Sequence, residues 1–173
     1  MTATVKRHFV KCLLNGREEP LVYQVDEETA DRVRRNLSGE PAAFCCFSTL
    51  DGREIAVNLS ELDLVHFLWD AAMPELRAVE HHPAYLYFVS RNEPFYCDPE
   101  DEDEAFNVFF LLEPDGADED RFLELTDEDG EVVVFDTRKL QVIEMSSALV
   151  AAGAANFDGE LGAGSDQPGE GDA

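Results

Sequence analysis

The sequence predicts an α+β protein made by tandem duplication of one β-β-α-β-β-β unit, with mostly antiparallel sheets and a disordered acidic C-terminal tail. Three observations carry that reading. An Asp-Gly pair stands between two extended apolar runs at Asp51-Gly52 and again at Asp129-Gly130. A strand pair and an acid-capped segment precede each of them. Turns, caps and apolar phase then recur in the same order, the signature of an internal repeat.

In the first unit, His8 to Leu14 reads as a strand, Asn15-Gly16 as a turn, and Leu21 to Val25 as a second strand after Glu19-Pro20. Asp26 to Leu37 has the punctuation of a helix. Asp26 is the N-cap, Glu27 and Glu28 complement the positive end of the dipole, and Arg32, Arg34 and Arg35 lie toward the negative end. Gly39 stands just beyond, as a stop signal. The stripe of Ala30, Val33 and Leu37 is narrow and suits a helix lying on a sheet. Phe44 to Leu50 and Glu54 to Leu59 flank Asp51-Gly52, a favoured pair for a two-residue type I′ hairpin turn. Leu62 to Trp69 is apolar at most positions, which predicts a strand covered on both faces.

The second unit repeats the order. Ala84 to Ser90, Arg91-Asn92, Glu93-Pro94 and Phe95 to Cys97 match the first strand pair. Asp98 is the expected N-cap, with Pro99 at the first helical position and acids through Glu104. From Ala105 to Leu112 the chain is apolar on all sides; helix and strand both fit, and periodicity does not choose between them. Arg121 to Thr126, Glu131 to Asp136 and Leu140 to Met145 complete the unit, with Val57 matched to Phe135 and Leu62 and Val65 matched to Leu140 and Ile143. The divisions are therefore 1–69, a connector 70–83 with a helical turn at 74–79, 84–145, and a tail 146–173. The tail begins as a short Ala-rich helix and is expected to be disordered from Asn156, where little remains to bury.

Composition bounds the function. The 173 residues carry a net charge of −25, unevenly placed. Residues 1–69 hold 11 acids against 8 bases, residues 70–145 hold 22 against 5, and residues 146–173 hold 5 acids and no base. A nucleic-acid backbone is excluded as a direct partner, since affinity there comes from Lys and Arg at phosphates. A basic protein fits, steered by the acidic second unit. The competing explanation is adaptation to high salt, suggested by only three lysines; adaptation should spread acids over both units, and they are not spread. No apolar run has the length of a membrane span, and the first residues lack the apolar core of a signal peptide, so a cytoplasmic protein of prokaryotic type is expected.

Candidate chemistry is sparse. Cys12, Cys45, Cys46 and Cys97 show no Cys-x-x-Cys spacing, and adjacent Cys45 and Cys46 on a strand point to opposite faces. They read as small buried hydrophobes. His81-His82-Pro83 lacks a third ligand at metal spacing and reads as solvated. His66 lies between Val65 and Phe67 and reads as a structural histidine. The run Asp98 to Glu104 lacks the glycine and twelfth-position glutamate of an EF-hand loop and reads as a helix start. Gly162 and Gly164 have no preceding strand, so they do not form a phosphate loop. No cofactor or metal is expected. The leading expectation is a noncatalytic interaction or regulatory protein whose contact surface is Asp98, Glu100, Asp101, Glu102, Asp103 and Glu104, facing a basic protein. The alternative is a small hydrolase or metal-dependent enzyme using His66, Cys45 or Cys46, or the 98–104 acids.

Overall fold

A computed structural model describes residues 7–39, 42–69, 84–99, 101–113, 121–126 and 129–163, the side chains of 158–163 excepted. The expected connector 70–83, with its helical turn and His81 and His82, lies outside the described residues, as do Glu100, the loop acids of 115–120, and 164–173.

The architecture is α+β, with ten strands in antiparallel sheets and three helices among the described residues. The first half runs β1 (His8–Leu14), β2 (Leu21–Val25), α1 (Glu27–Ser38), β3 (Phe44–Ser48), β4 (Arg53–Asn58), a 3-10 turn (Leu59–Glu61) and β5 (Leu62–Trp69). The second runs β6 (Ala84–Phe88), β7 (Phe95–Cys97), α2 (Glu102–Leu112), β8 (Phe122–Thr126), β9 (Val132–Asp136) and β10 (Leu140–Ser146). A last helix, α3 (Ser147–Ala163), follows.

The central layer is a five-stranded sheet, β3-β4-β10-β6-β7. Against one face lie the three-stranded sheet β2-β1-β5 and α1, around Val10, Tyr23, Val33, Phe47, Ile55, Val57 and Val142. Against the other lie α2, α3 and the β8–β9 hairpin, around Leu86, Val108, Leu125, Phe135, Leu140 and Ile143. Covering both faces explains why β10 is buried along almost its whole length.

Strand registers in the two halves correspond residue by residue. Val10 opposite Tyr23 and Cys12 opposite Leu21 have counterparts in Ala84 opposite Cys97 and Leu86 opposite Phe95. Cys12 opposite Val65 corresponds to Leu86 opposite Ile143. Phe44 opposite Asn58 corresponds to Phe122 opposite Asp136. Each half carries a register shift at the matching place, beside Leu14–Leu62 and beside Phe88–Leu140. Asn58 and Asp136 each accept from the backbone N–H two residues on. The pairing aligns Ala84 with Val10 and not, as the sequence suggested, with His8; the slip of two residues preserves the face each side chain points to.

Several elements depart from the sequence reading. The Asp51-Gly52 hairpin has a three-residue loop, closed by Thr49 N–H donating to Arg53 C=O, with Gly52 N–H donating to Thr49 C=O and Gly52 at φ 82°. That is a β-turn from Thr49 to Gly52 ending in a left-handed glycine, one residue longer than the two-residue type I′ loop expected. Among the described residues strand β5 is an edge strand, with Val65 and Phe67 packed inward and Leu64 and His66 exposed, so the expected cover on both faces is not seen there. Residues 105–112 are helical. The helix starts later than expected: Pro99 is buried in an isolated bridge, and Asp101, not Asp98, accepts from the N–H groups of Asp103 and Glu104 at 2.9 and 3.1 Å. The bridge at Pro99 keeps the chain extended past Asp98, so the first residue able to cap the helix is Asp101.

The tail also differs. Helix α3 runs through Asn156, where disorder was expected, because its small residues let it sit close on α2. A Cβ at Gly153 would overlap the Glu102 carbonyl. Asn156 Nδ2 donates to Asp103 Oδ1 at 3.0 Å, and the Phe157 ring packs 5.6 Å from Phe106 and 6.0 Å from Phe110.

The halves meet in a buried polar cluster. Glu144 on β10 accepts from Tyr23 Oη at 2.7 Å and from Arg53 Nη1 at 2.5 Å. Arg53 also holds Asp51 at 2.6 Å and lies over the Tyr23 ring. Burial and then the Glu144 carboxylate push the Tyr23 hydroxyl well above its ordinary range, so it stays a donor. Removing one partner strands a buried charge, at about 3–5 kcal/mol. Arg53→Met should therefore lower urea-unfolding stability by about that amount, and adding Glu144→Leu should recover part of the loss.

Candidate interaction surface

The expected acidic site divides by role. Asp101 is occupied as the α2 N-cap. Glu104 accepts from Thr126 N–H at 2.6 Å and from Thr126 Oγ1 at 2.9 Å, tying α2 to β8. Asp103 receives the Asn156 amide. Asp98 and Glu102 are exposed and make no such side-chain contact with the described residues. Glu113 at the end of α2 and Glu124 on β8 are likewise exposed, and neither belonged to the expected site. Their signal in the sequence was only the general acidity of 70–145. In that half, Arg121 pairs with Asp136 at 3.0 Å and lies over the Phe122 ring.

A second feature was not anticipated. The outward face of the β8–β9 hairpin carries Phe122, Val132 and Val134, all exposed. Leu64 and His66 are exposed on β5, and Leu13 is exposed beside them on β1. Neither β5 nor β9 has a second strand neighbour among the described residues. The run of valines from Val132 to Val134 on both faces of β9 was the available signal, since a strand with one wet face normally alternates.

The groups of the enzymatic alternative are not brought together. His66 sits on the three-stranded sheet opposite Lys11, while Cys45 and Cys46 sit on β3, in the other sheet. Burial pushes the thiols of Cys12, to about 12, and of Cys45 and Cys46 upward, away from the reactive thiolate. A groove of about 170 Å³ beside Cys46, bounded by Arg32, Glu54, Phe106 and Phe110, is smaller than ordinary ligand sites. Among the described residues no three His, Cys, Asp or Glu side chains cluster as metal ligands, and no helix is long and apolar enough to cross a membrane.

No protein-family model matches the chain, and comparisons with curated proteins and with solved structures give no match.

The division of the acids is testable by urea unfolding. Asp101→Ala should cost about 1 kcal/mol as a lost cap. Glu104→Ala should cost about 1–3 kcal/mol by leaving the Thr126 groups without their acceptor. Asp98→Asn and Glu102→Gln should leave stability within about 0.5 kcal/mol of the parent.

Proposed function

We propose that this chain is a noncatalytic protein-interaction or regulatory protein, formed by tandem duplication of one α+β unit, whose second half presents an acidic face to a basic protein. Support for the duplication comes from the matched registers and matched register shifts of the two halves. The acidic-face reading rests on one observation. In the second half the exposed carboxylates of Asp98, Glu102, Glu113 and Glu124 stand on α2, its approach and the neighbouring β8, while the excess of acids over bases is concentrated between 70 and 145. Carboxylates committed to capping and to Thr126 belong to the fold; the exposed ones without such a contact supply field.

The mechanism is electrostatic steering. A single-signed surface raises the encounter rate with an oppositely charged partner, and the gain falls with ionic strength. Screening shortens the reach of exposed charges from about 10 Å at 0.1 M salt to about 3 Å at 1 M. Salt adaptation of the chain is the contrasting explanation and has the opposite signature.

The test captures basic proteins from native lysate at low and high salt, beside the variant Asp98→Asn/Glu102→Gln/Glu113→Gln/Glu124→Gln. Captured partners should wash off as salt rises and should be lost or weakened with the variant, while the isolated protein stays folded at low salt. Unfolding at low salt with rescue by molar salt, or equal capture by parent and variant, would overturn the proposal.

A further inference from the structure

The two halves differ in one respect of strand pairing. Strand β1 has two neighbours and so does its counterpart β6; β2, β3, β7 and β8 have one each. Strands β4 and β10 have two, because they pair with each other across the halves. Their counterparts β9 and β5 have one each among the described residues. Among the described residues the joint that links the first half to the second is therefore present once, and neither β5 nor β9 has the neighbour that would make it again.

We propose that a second copy of this chain completes the joint: the β8–β9 hairpin of one molecule adds to the β5 edge of the next, as β3–β4 adds to β10 within the chain. This rests on the register correspondence and not on the acidic-face reading. Transferring the internal register, Val142 opposite Val57 and Ile143 opposite Ala56, sets Leu64 opposite Phe135 and Val65 opposite Val134 of the neighbour.

Side-chain exposure follows the same correspondence. Within the chain, Tyr87 and Val142 of the second half are 8% and 0% exposed, packed into the first half's core. Their counterparts Leu13 and Leu64 are 37% and 50% exposed. Phe44 and Ala56 of the first half are 5% and 0% exposed, packed into the second half's core. Their counterparts Phe122 and Val134 are each more than half exposed, at 57% and 59%. The apolar groups left in water are the ones a second joint would cover, and exposed edges of this kind are sites of strand addition.

The polar groups correspond in part. Arg53 and Glu144, which pair across the internal joint, have Glu131 and His66 as counterparts, a carboxylate and an imidazole with the roles exchanged. Arg17 donates to the Arg91 and Asn92 carbonyls of the facing turn, and Arg91 stands at the matching place to donate onward. Asn58 and Gln141 also donate across the internal joint, but their counterparts Asp136 and Asp63 have no side-chain N–H. The intermolecular joint is accordingly weaker than the internal one, so assembly is concentration-dependent. Because the two surfaces differ, the contact is head-to-tail and yields rings or open chains.

Sedimentation velocity on the full chain, over micromolar to millimolar concentration, tests this. The parent should grow with concentration, and more so at higher salt as repulsion between the acidic molecules is screened, the reverse of the salt effect on a basic partner. Leu64→Lys and Val134→Lys, both at exposed positions, should each stay monomeric, with self-association weakened at least tenfold. Mixed together they should form a dimer and nothing larger, because one carries an intact β9 and the other an intact β5. A parent monomeric throughout, or a mixture that stays monomeric while circular dichroism shows both variants folded, would overturn the inference. So would a binding partner of another kind, or residues of the chain itself, found on the β5 edge.

Discussion

Glu144 is a carboxylate on the middle strand of the central sheet, and its burial constrains the rest of the structure. It is tolerable only because Tyr23 and Arg53 reach it, the first from the three-stranded sheet and the second from β4. An unpaired carboxylate in that position would cost several kcal/mol, a large share of the total stability of a domain this size. Three segments far apart in sequence must therefore arrive together. The loop that carries Asp51 is drawn in as well: Leu50 N–H donates to Gln24 C=O, and Ser147 N–H at the start of α3 donates to Gly52 C=O. Strand β2, strand β10, the β3–β4 hairpin and the last helix thus share one anchor point.

That anchor makes the two halves interdependent. Each core is completed by side chains from the other half: Tyr87 and Val142 enter the first, Phe44 and Ala56 the second. Fully burying side chains such as Val or Ile stabilises by about 1.5–3 kcal/mol each, so the joint is worth more than the polar cluster alone. Among the described residues, β5 and β9 lack the second neighbouring strand that β4 and β10 give each other. Of the exposed carboxylates of the second half, Asp98, Glu102 and Glu113 lie on α2 and its approach, while Glu124 stands opposite Val134 on the apolar face of the β8–β9 hairpin.

Local rules made much of this legible in the sequence. Asp26 caps α1 as its spacing implied, Val33 is the buried centre of the expected stripe, and both Asp-Gly pairs mark hairpins with glycine at positive φ. Long-range geometry was not legible. The pairing of β4 with β10 joins residues far apart in sequence, and no local pattern encodes it; the apolar character of Leu64 alone suggested that β5 is covered on both faces, whereas Leu64 is exposed. Helix α3 was misread from Asn156 because Ala and Gly look uncommitted until a close neighbour is known, and here α2 approaches within the space a methyl group would fill. Among the candidate acids, composition located the acidic half, but only the structure separates Asp101 and Glu104, which cap α2 and hold Thr126, from Asp98 and Glu102, whose side chains make no such contact with the described residues. The apolar β8–β9 face was present in the sequence as Phe122 and the valines of β9 and went unrecognised because the strand's neighbours were unknown.

Native-state hydrogen exchange tests most directly whether the β4–β10 joint unites the two halves. If it does, the slowest amides of β1 and β4 in the first half and of β6 and β10 in the second should exchange through one opening reaction, with the same free energy and the same dependence on denaturant. If β6 and β10 remain protected under conditions where β1 and β4 exchange freely, the halves are independently stable and the account is contradicted.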